Sequence, residues 1–132
     1  MKQRRSIRSI MKNMEKSVKL SESQKRILEE GRTEPAFSSQ LLEEKRDGTY
    51  SCAACDNKVF SSDTKFDSRS GWPSFYDVMA NDSIEKNEGT DGRVEVTCAK
   101  CGGHLGHVFE DGPKPTGKRF CINGEVLKFS KK

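Results

Sequence analysis

The chain has 132 residues, 32% of them hydrophobic and 33% charged, with a mean hydropathy of −0.84. That is the length of one ordinary domain with a lean core, and no apolar run approaches the roughly 18 residues that a membrane-spanning helix needs. The net charge of +4 is unevenly placed. Residues 1–19 hold seven Lys/Arg and one Glu, whereas the remaining 113 hold 17 positive and 19 negative charges, so the body offers no basic surface suited to nucleic acid.

The first segment, MKQRRSIRSIMKNMEKSVK, can be drawn as an amphipathic helix with Ile7, Ile10, Met11, Met14 and Val18 on one side. Such a helix suits an anionic membrane surface; the plainer reading is a frayed, solvated extension. The segment lacks the 7–15-residue apolar stretch of a secretory signal, and the pair Arg4–Arg5 lacks it too. The expectation is a cytoplasmic protein, with residues 1–19 an extension and residues 20–132 a single domain. Ser21 followed by Gln24 fits a capping box, and Gly31 fits a helix stop, which predicts a short helix over about residues 21–30 with Ile27 and Leu28 inward. A second short helix is expected near 38–46, with Leu41 and Leu42 inward and Gly48 after it. From Gly48 onward, short strand-like pieces alternate with Gly, Pro, Asn and Asp. They are Thr49–Cys52, Lys58–Phe60, Arg93–Thr97, His107–Phe109, Lys118–Ile122 and Val126–Phe129. The fold expected is mainly β: short N-terminal helices on a small antiparallel domain.

Four of the five cysteines form two CxxC pairs, Cys52/Cys55 and Cys98/Cys101, separated by 42 residues. Four thiolates satisfy one tetrahedral structural zinc ion, and such a clip suits a lean core. A redox dithiol and inert buried thiols are the other readings. A rival ligand set, Cys98, Cys101, His104 and His107, lies within CAKCGGHLGH but would leave Cys52 and Cys55 idle.

The fifth cysteine, Cys121, stands alone in GKRFCING. If Lys118–Ile122 is a strand, Phe120 and Ile122 face the core, while Arg119 and Cys121 share the other face. An arginine beside a thiol favours the thiolate, the nucleophilic form. That supports a reactive cysteine, against the alternative of a free core cysteine beside a solvated arginine. Asn123–Gly124 reads as a hairpin turn between two apolar stretches. The chain's two histidines, His104 and His107, lie in HLGH, where an imidazole near a thiol can move a proton at neutral pH. Trp72, in the apolar loop GWPSF, is a core plug by default and a pocket wall otherwise.

Taken in order, LSESQKRILEEGRTEPAFS, GTYSCAACDNKVFSSDTKFDS, GWPSF, RVEVTCAKCGGHLGHVFEDGPKPTGKRFCIN and the closing LKF closely resemble the methionine-R-sulfoxide reductases of the B class. The resemblance covers Leu20 to Phe129. It implies two antiparallel sheets in a tent-like, zinc-clamped arrangement with helices at the N-terminal side. It implies a zinc ion on Cys52, Cys55, Cys98 and Cys101, and Cys121 as the nucleophile that attacks the sulfoxide sulfur. By the same resemblance His104 and His107 surround the sulfoxide oxygen or its water, and Arg119 supports the thiolate. Trp72 packs the substrate's methyl group, with Val108 and Phe109 also expected at the substrate. His104, Val108 and Asn123 match the cysteine-type members, which raises Asn123 as a site residue.

Many members carry a resolving cysteine just before GWPSF. Here the place holds Ser70, which cannot resolve a sulfenic acid. Thioredoxin or a small thiol is therefore the expected reductant, and methionine-R-sulfoxide, chiefly in proteins, the expected substrate of a monomer. Two other classes are compatible with paired CxxC motifs: an inactive zinc-clamped β module that binds a ligand, and a zinc-ribbon nucleic-acid binder. Retention of Cys121, both histidines, Arg119 and Trp72 argues against the first. The net −2 body argues against the second.

Overall fold

A computed structural model describes residues 20–89 and 91–132; the basic segment 1–19, with the helix drawn on it, lies outside the described residues. Helix α1 spans Glu22–Glu30. Ser21 and Gln24 exchange both hydrogen bonds of the capping box, and Gly31 ends the helix in the left-handed conformation at φ 73°, which glycine adopts without penalty. Ile27 and Leu28 are buried. The second helix shrinks to a single 3-10 turn at Gln40–Glu43 with no buried residue. Leu41 and Leu42 are adjacent rather than three or four apart, so they define no apolar stripe that would stabilise an α-helix. The chain is already extended at Glu44.

Among the described residues, nine strands form two antiparallel sheets. In chain order they are β1 Gly48–Cys52, β2 Lys58–Ser61, β3 Lys65–Phe66, β4 Ser74–Phe75, β5 Ile84–Glu88, β6 Val94–Cys98, β7 His104–Phe109, β8 Arg119–Ile122 and β9 Leu127–Lys131. The smaller sheet has the order β2-β1-β9 and the larger β3-β4-β8-β7-β6-β5. Strands β3, β4 and β5 carry no clear signal in the sequence. The first two have two residues each, and β5 (IEKNE) buries only Ile84.

The core lies between the sheets. Phe60 stacks on Phe75 at 4.4 Å, Tyr50 meets Phe75 edge-on at 5.0 Å, and Phe120 completes the group at 5.8 Å from Phe60. These rings come from β1 and β2 on one side and β4 and β8 on the other, and they supply much of the buried apolar area.

Asn123–Gly124 is not a hairpin turn. β8 pairs with β7 and β4, and β9 pairs with β1, so the two strands flanking it belong to different sheets. Asn123 has φ −71° and starts a 3-10 turn over Gly124–Val126, whereas the expected hairpin turn needs positive φ. The dipeptide carries the chain from the larger sheet to the smaller, two residues after Cys121.

Candidate active site and metal centre

The alternation read for β8 is present: Phe120 and Ile122 are buried, while Arg119 and Cys121 are half-buried on the opposite face. Antiparallel pairing sets His107 of β7 opposite Cys121 and Phe109 opposite Arg119, so four side chains share one face. Gly106 makes this approach possible. A Cβ there would lie 2.1 Å from the Cys121 carbonyl oxygen. On the other side of β8, Ser74 of β4 pairs with Cys121.

Above this face is a cavity of about 350 Å³, lined by Cys121, His107, Phe109, Arg119 and Asn123, with Trp72, Ser70, Thr33, Gly106 and Arg93 closing its sides. Trp72 is therefore a wall of the cavity and not a core plug. Its indole N–H donates to the Glu34 carbonyl at 2.9 Å, which fixes the ring. Arg119 forks onto Asp111 at 2.9 and 3.1 Å and lies 4.4 Å over the Phe109 ring. Its guanidinium is raised above its ordinary value, first by Asp111 and further by the Cys121 sulfur. Burial, with His104 and Arg93 adding to it, brings His107 down to about 4, so it is a neutral imidazole at pH 7.

His104 is buried and stands behind the cavity, its ring 5.3 Å from that of His107. Its Nδ1 lies 2.6 Å from a Glu95 carboxylate oxygen. A carboxylate accepts, so Nδ1 carries the proton, and Nε2 has no protein partner. Asn123 is buried with its amide committed: Oδ1 accepts from the Glu34 N–H at 2.9 Å and Nδ2 donates to the Leu105 carbonyl at 3.0 Å. Val108 is displaced from its expected place. Strand alternation turns it into the core, paired with Phe120.

Glu34 was not singled out in the sequence. Its N–H and C=O hold Asn123 and Trp72, and its buried carboxylate accepts from the backbone N–H groups of Gly124 and Glu125 at 3.1 and 2.8 Å. One residue thus ties the aromatic wall to the turn that follows Cys121. Burial raises its carboxyl above the ordinary value, against the pull of those two N–H groups.

The CxxC pairs sit at two strand ends, Cys52/Cys55 after β1 and Cys98/Cys101 after β6. All four are buried, and their sulfurs lie within 4.8 Å of one another, the metal-competent group among the described residues. Cys52 and Cys101 are 3.8 Å apart, and Cys55 and Cys98 3.5 Å. Tetrahedral thiolate coordination with bonds of about 2.3 Å places sulfurs about 3.8 Å apart, so the set fits a metal ion. Within the cluster, hydrogen bonds from Cys101 and Cys52 pull the Cys98 and Cys55 thiols down, while Cys52 and Cys101 are themselves pushed up. The rival set is not assembled: His104 faces Glu95, and His107 lines the cavity.

Residues 20–131 match the SelR domain family model. The chain belongs to the SelR domain family. It is 53% identical over 113 residues to a peptide methionine sulfoxide reductase MsrB of Methanosarcina barkeri, covering 83% of this chain and 80% of that protein. A Methanosarcina mazei protein of the same description is 52% identical over 115 residues, covering 85% and 82%. One from Leptospira interrogans is 51% identical over 115 residues, covering 85% and 88%. The SelR match spans both CxxC pairs, the cavity and the α1 cap. Among the described residues of this SelR chain, no helix is long and apolar enough to cross a membrane.

Proposed function

We propose that this SelR protein reduces methionine-R-sulfoxide, chiefly in proteins, to methionine. The observation that carries the reading is a half-exposed Cys121 at the floor of a 350 Å³ cavity, opposite a neutral His107 and beside a fixed Trp72. The Cys121 thiolate attacks the sulfoxide sulfur. The sulfoxide oxygen takes up two protons and leaves as water; water then attacks the Cys121 sulfur, methionine departs with the electron pair of the newly formed S–S bond, and Cys121 becomes a sulfenic acid. An external thiol then attacks that sulfur, releasing water and forming a mixed disulfide. A second thiol, from thioredoxin or a small thiol, restores Cys121.

Within this scheme the Trp72 and Phe109 rings accept the sulfoxide's methyl and methylene groups. His107, backed by His104, addresses its oxygen directly or through water. Arg119 supports the negative sulfur, held by Asp111 and Phe109. Asn123 acts as a positioning residue, because its amide is spent on Glu34 and Leu105. A pocket with an apolar wall on one side and imidazole on the other distinguishes the two epimers, and the choice of R rests on the family resemblance alone. Cys52, Cys55, Cys98 and Cys101 would hold a structural zinc ion that pins the end of β1 to the end of β6.

The test is a single turnover without reductant. Dimedone should label Cys121 after one equivalent of sulfoxide, and Cys121→Ser should take no label. An intramolecular disulfide found by mass spectrometry in place of the adduct would overturn the recycling scheme, since Ser70 stands where a resolving cysteine would be.

A further inference from the structure

Ser70 is more than a missing cysteine. Its hydroxyl oxygen lies 3.5 Å from the Cys121 sulfur, within the reach of a hydrogen bond to sulfur. It is one end of a string of hydroxyls. Ser68 Oγ is 2.7 Å from Ser70 Oγ and 2.7 Å from Ser74 Oγ. Ser74, buried on β4, donates to the Trp72 carbonyl at 3.0 Å. The loop between β3 and β4 takes the form this needs: Arg69 at φ 60° and Gly71 at φ 95° are both left-handed, and Ser68 and Ser70 meet across Arg69. A non-glycine residue in that region carries strain, which the local contacts must hold.

Proton counting sets what the string can do. Each hydroxyl has one hydrogen and two lone pairs. Beside a thiol, the S–H can donate to Ser70, Ser70 to Ser68, Ser68 to Ser74, and Ser74 to the Trp72 carbonyl. A thiolate can only accept. Ser70 must then turn its hydrogen to the sulfur, Ser68 can replace it as donor to Ser70, and Ser74 can turn from the Trp72 carbonyl to donate to Ser68. The Trp72 N–H also faces Ser70 Oγ at 3.4 Å and holds the oxygen in place during that rotation.

We propose that Ser70 is a catalytic hydroxyl of this site, donating to the Cys121 thiolate, with Ser68 and Ser74 holding it in that role. The proposal rests on Cys121 being the nucleophile. Hydrogen bonds to ionised groups are the strong ones in proteins, so losing this one should be felt at the sulfur.

The experiment uses the full chain as wild type, Ser70→Ala and Ser70→Thr. Iodoacetamide labelling of Cys121 is followed against pH by peptide mass spectrometry, beside steady-state kinetics on a blocked methionine sulfoxide. Ser70→Ala should shift the midpoint of the labelling profile up by about one pH unit and slow labelling at pH 7 about tenfold. The loss should appear in kcat, with KM changed less than about twofold. Ser70→Thr keeps the hydroxyl and should stay within about threefold of wild type. A Ser70→Ala profile superimposable on wild type would overturn the proposal, as would a threonine variant that falls as far as the alanine. The nucleophile reading fails separately: Cys121→Ser would then keep its activity, whatever the labelling profile of Ser70→Ala shows.

Discussion

Burial, then His104 and Arg93, hold His107 near 4 in the folded chain, against about 6.5 in the unfolded one. Between those values the unfolded state binds the extra proton and the folded state does not. Stability from this residue is therefore full above about pH 6.5 and is lost as pH falls toward 4. At pH 5 the linkage amounts to about 2 kcal/mol at most, and solvent screening at a half-buried site reduces it to about 1 kcal/mol. In urea unfolding, wild type should lose about 1 kcal/mol more than His107→Gln between pH 7 and pH 5. Equal losses would place His107 in an ordinary solvated environment. The Arg119–Cys121 pair was legible because strand alternation is local, and two residues on one face need no knowledge of the fold. Glu34 was not, because it bonds to a residue 89 positions away. In the sequence it is one more charged residue after a helix. Its burial is created only when the end of β8 returns to the α1 side of the molecule. Val108 was misplaced by resemblance, although the alternation that put Cys121 outward also turns Val108 inward once the β7–β8 register is known.

Strands β7 and β8 form the platform of the site, and their spacing is set at Gly106. A methyl group there would meet the Cys121 carbonyl at 2.1 Å and the Ile122 Cα at 2.9 Å, backbone atoms that cannot rotate away. Gly106→Ala should therefore push β8 outward, cost about 3 kcal/mol in urea unfolding, and lower kcat by more than about tenfold by moving Cys121 relative to His107. An alanine variant with wild-type stability and turnover would show that the two strands tolerate separation. At this scale the sequence spoke clearly where an element carries its own signals. Helix α1 has a capping box at one end and a glycine at the other, and both are local chemistry. The 3-10 turn at Gln40–Glu43 and the link at Asn123–Gly124 were misread for one reason. Each sits at a junction between layers, where the destination of the chain overrides the preference of a dipeptide. Strands of two residues, such as β3 and β4, have no periodicity to read; they exist because β8 supplies β4 with a partner.

The two sheets share a modest aromatic core, and the four-cysteine cluster joins them at one end, through β1 of the smaller sheet and β6 of the larger. The CxxC spacing made this centre legible from sequence, because two pairs of thiols suit one tetrahedral ion whatever lies between them. The cavity around Cys121 was legible only in part. Its floor follows from β8, but its walls come from loops that the sheet brings together. Zinc bound only by the folded state adds its binding energy to folding. Metal analysis should give about one zinc per chain, and Cys98→Ser should lose it along with on the order of 5 kcal/mol of stability. A fully stable Cys98→Ser protein would remove the clamp from the account.

The most direct test of the central claim is turnover of separated R and S epimers of a blocked methionine sulfoxide with dithiothreitol, using wild type and Cys121→Ser. The account predicts methionine from the R epimer alone and none from the variant. Turnover of the S epimer, or no turnover by folded, metal-loaded protein, would contradict it.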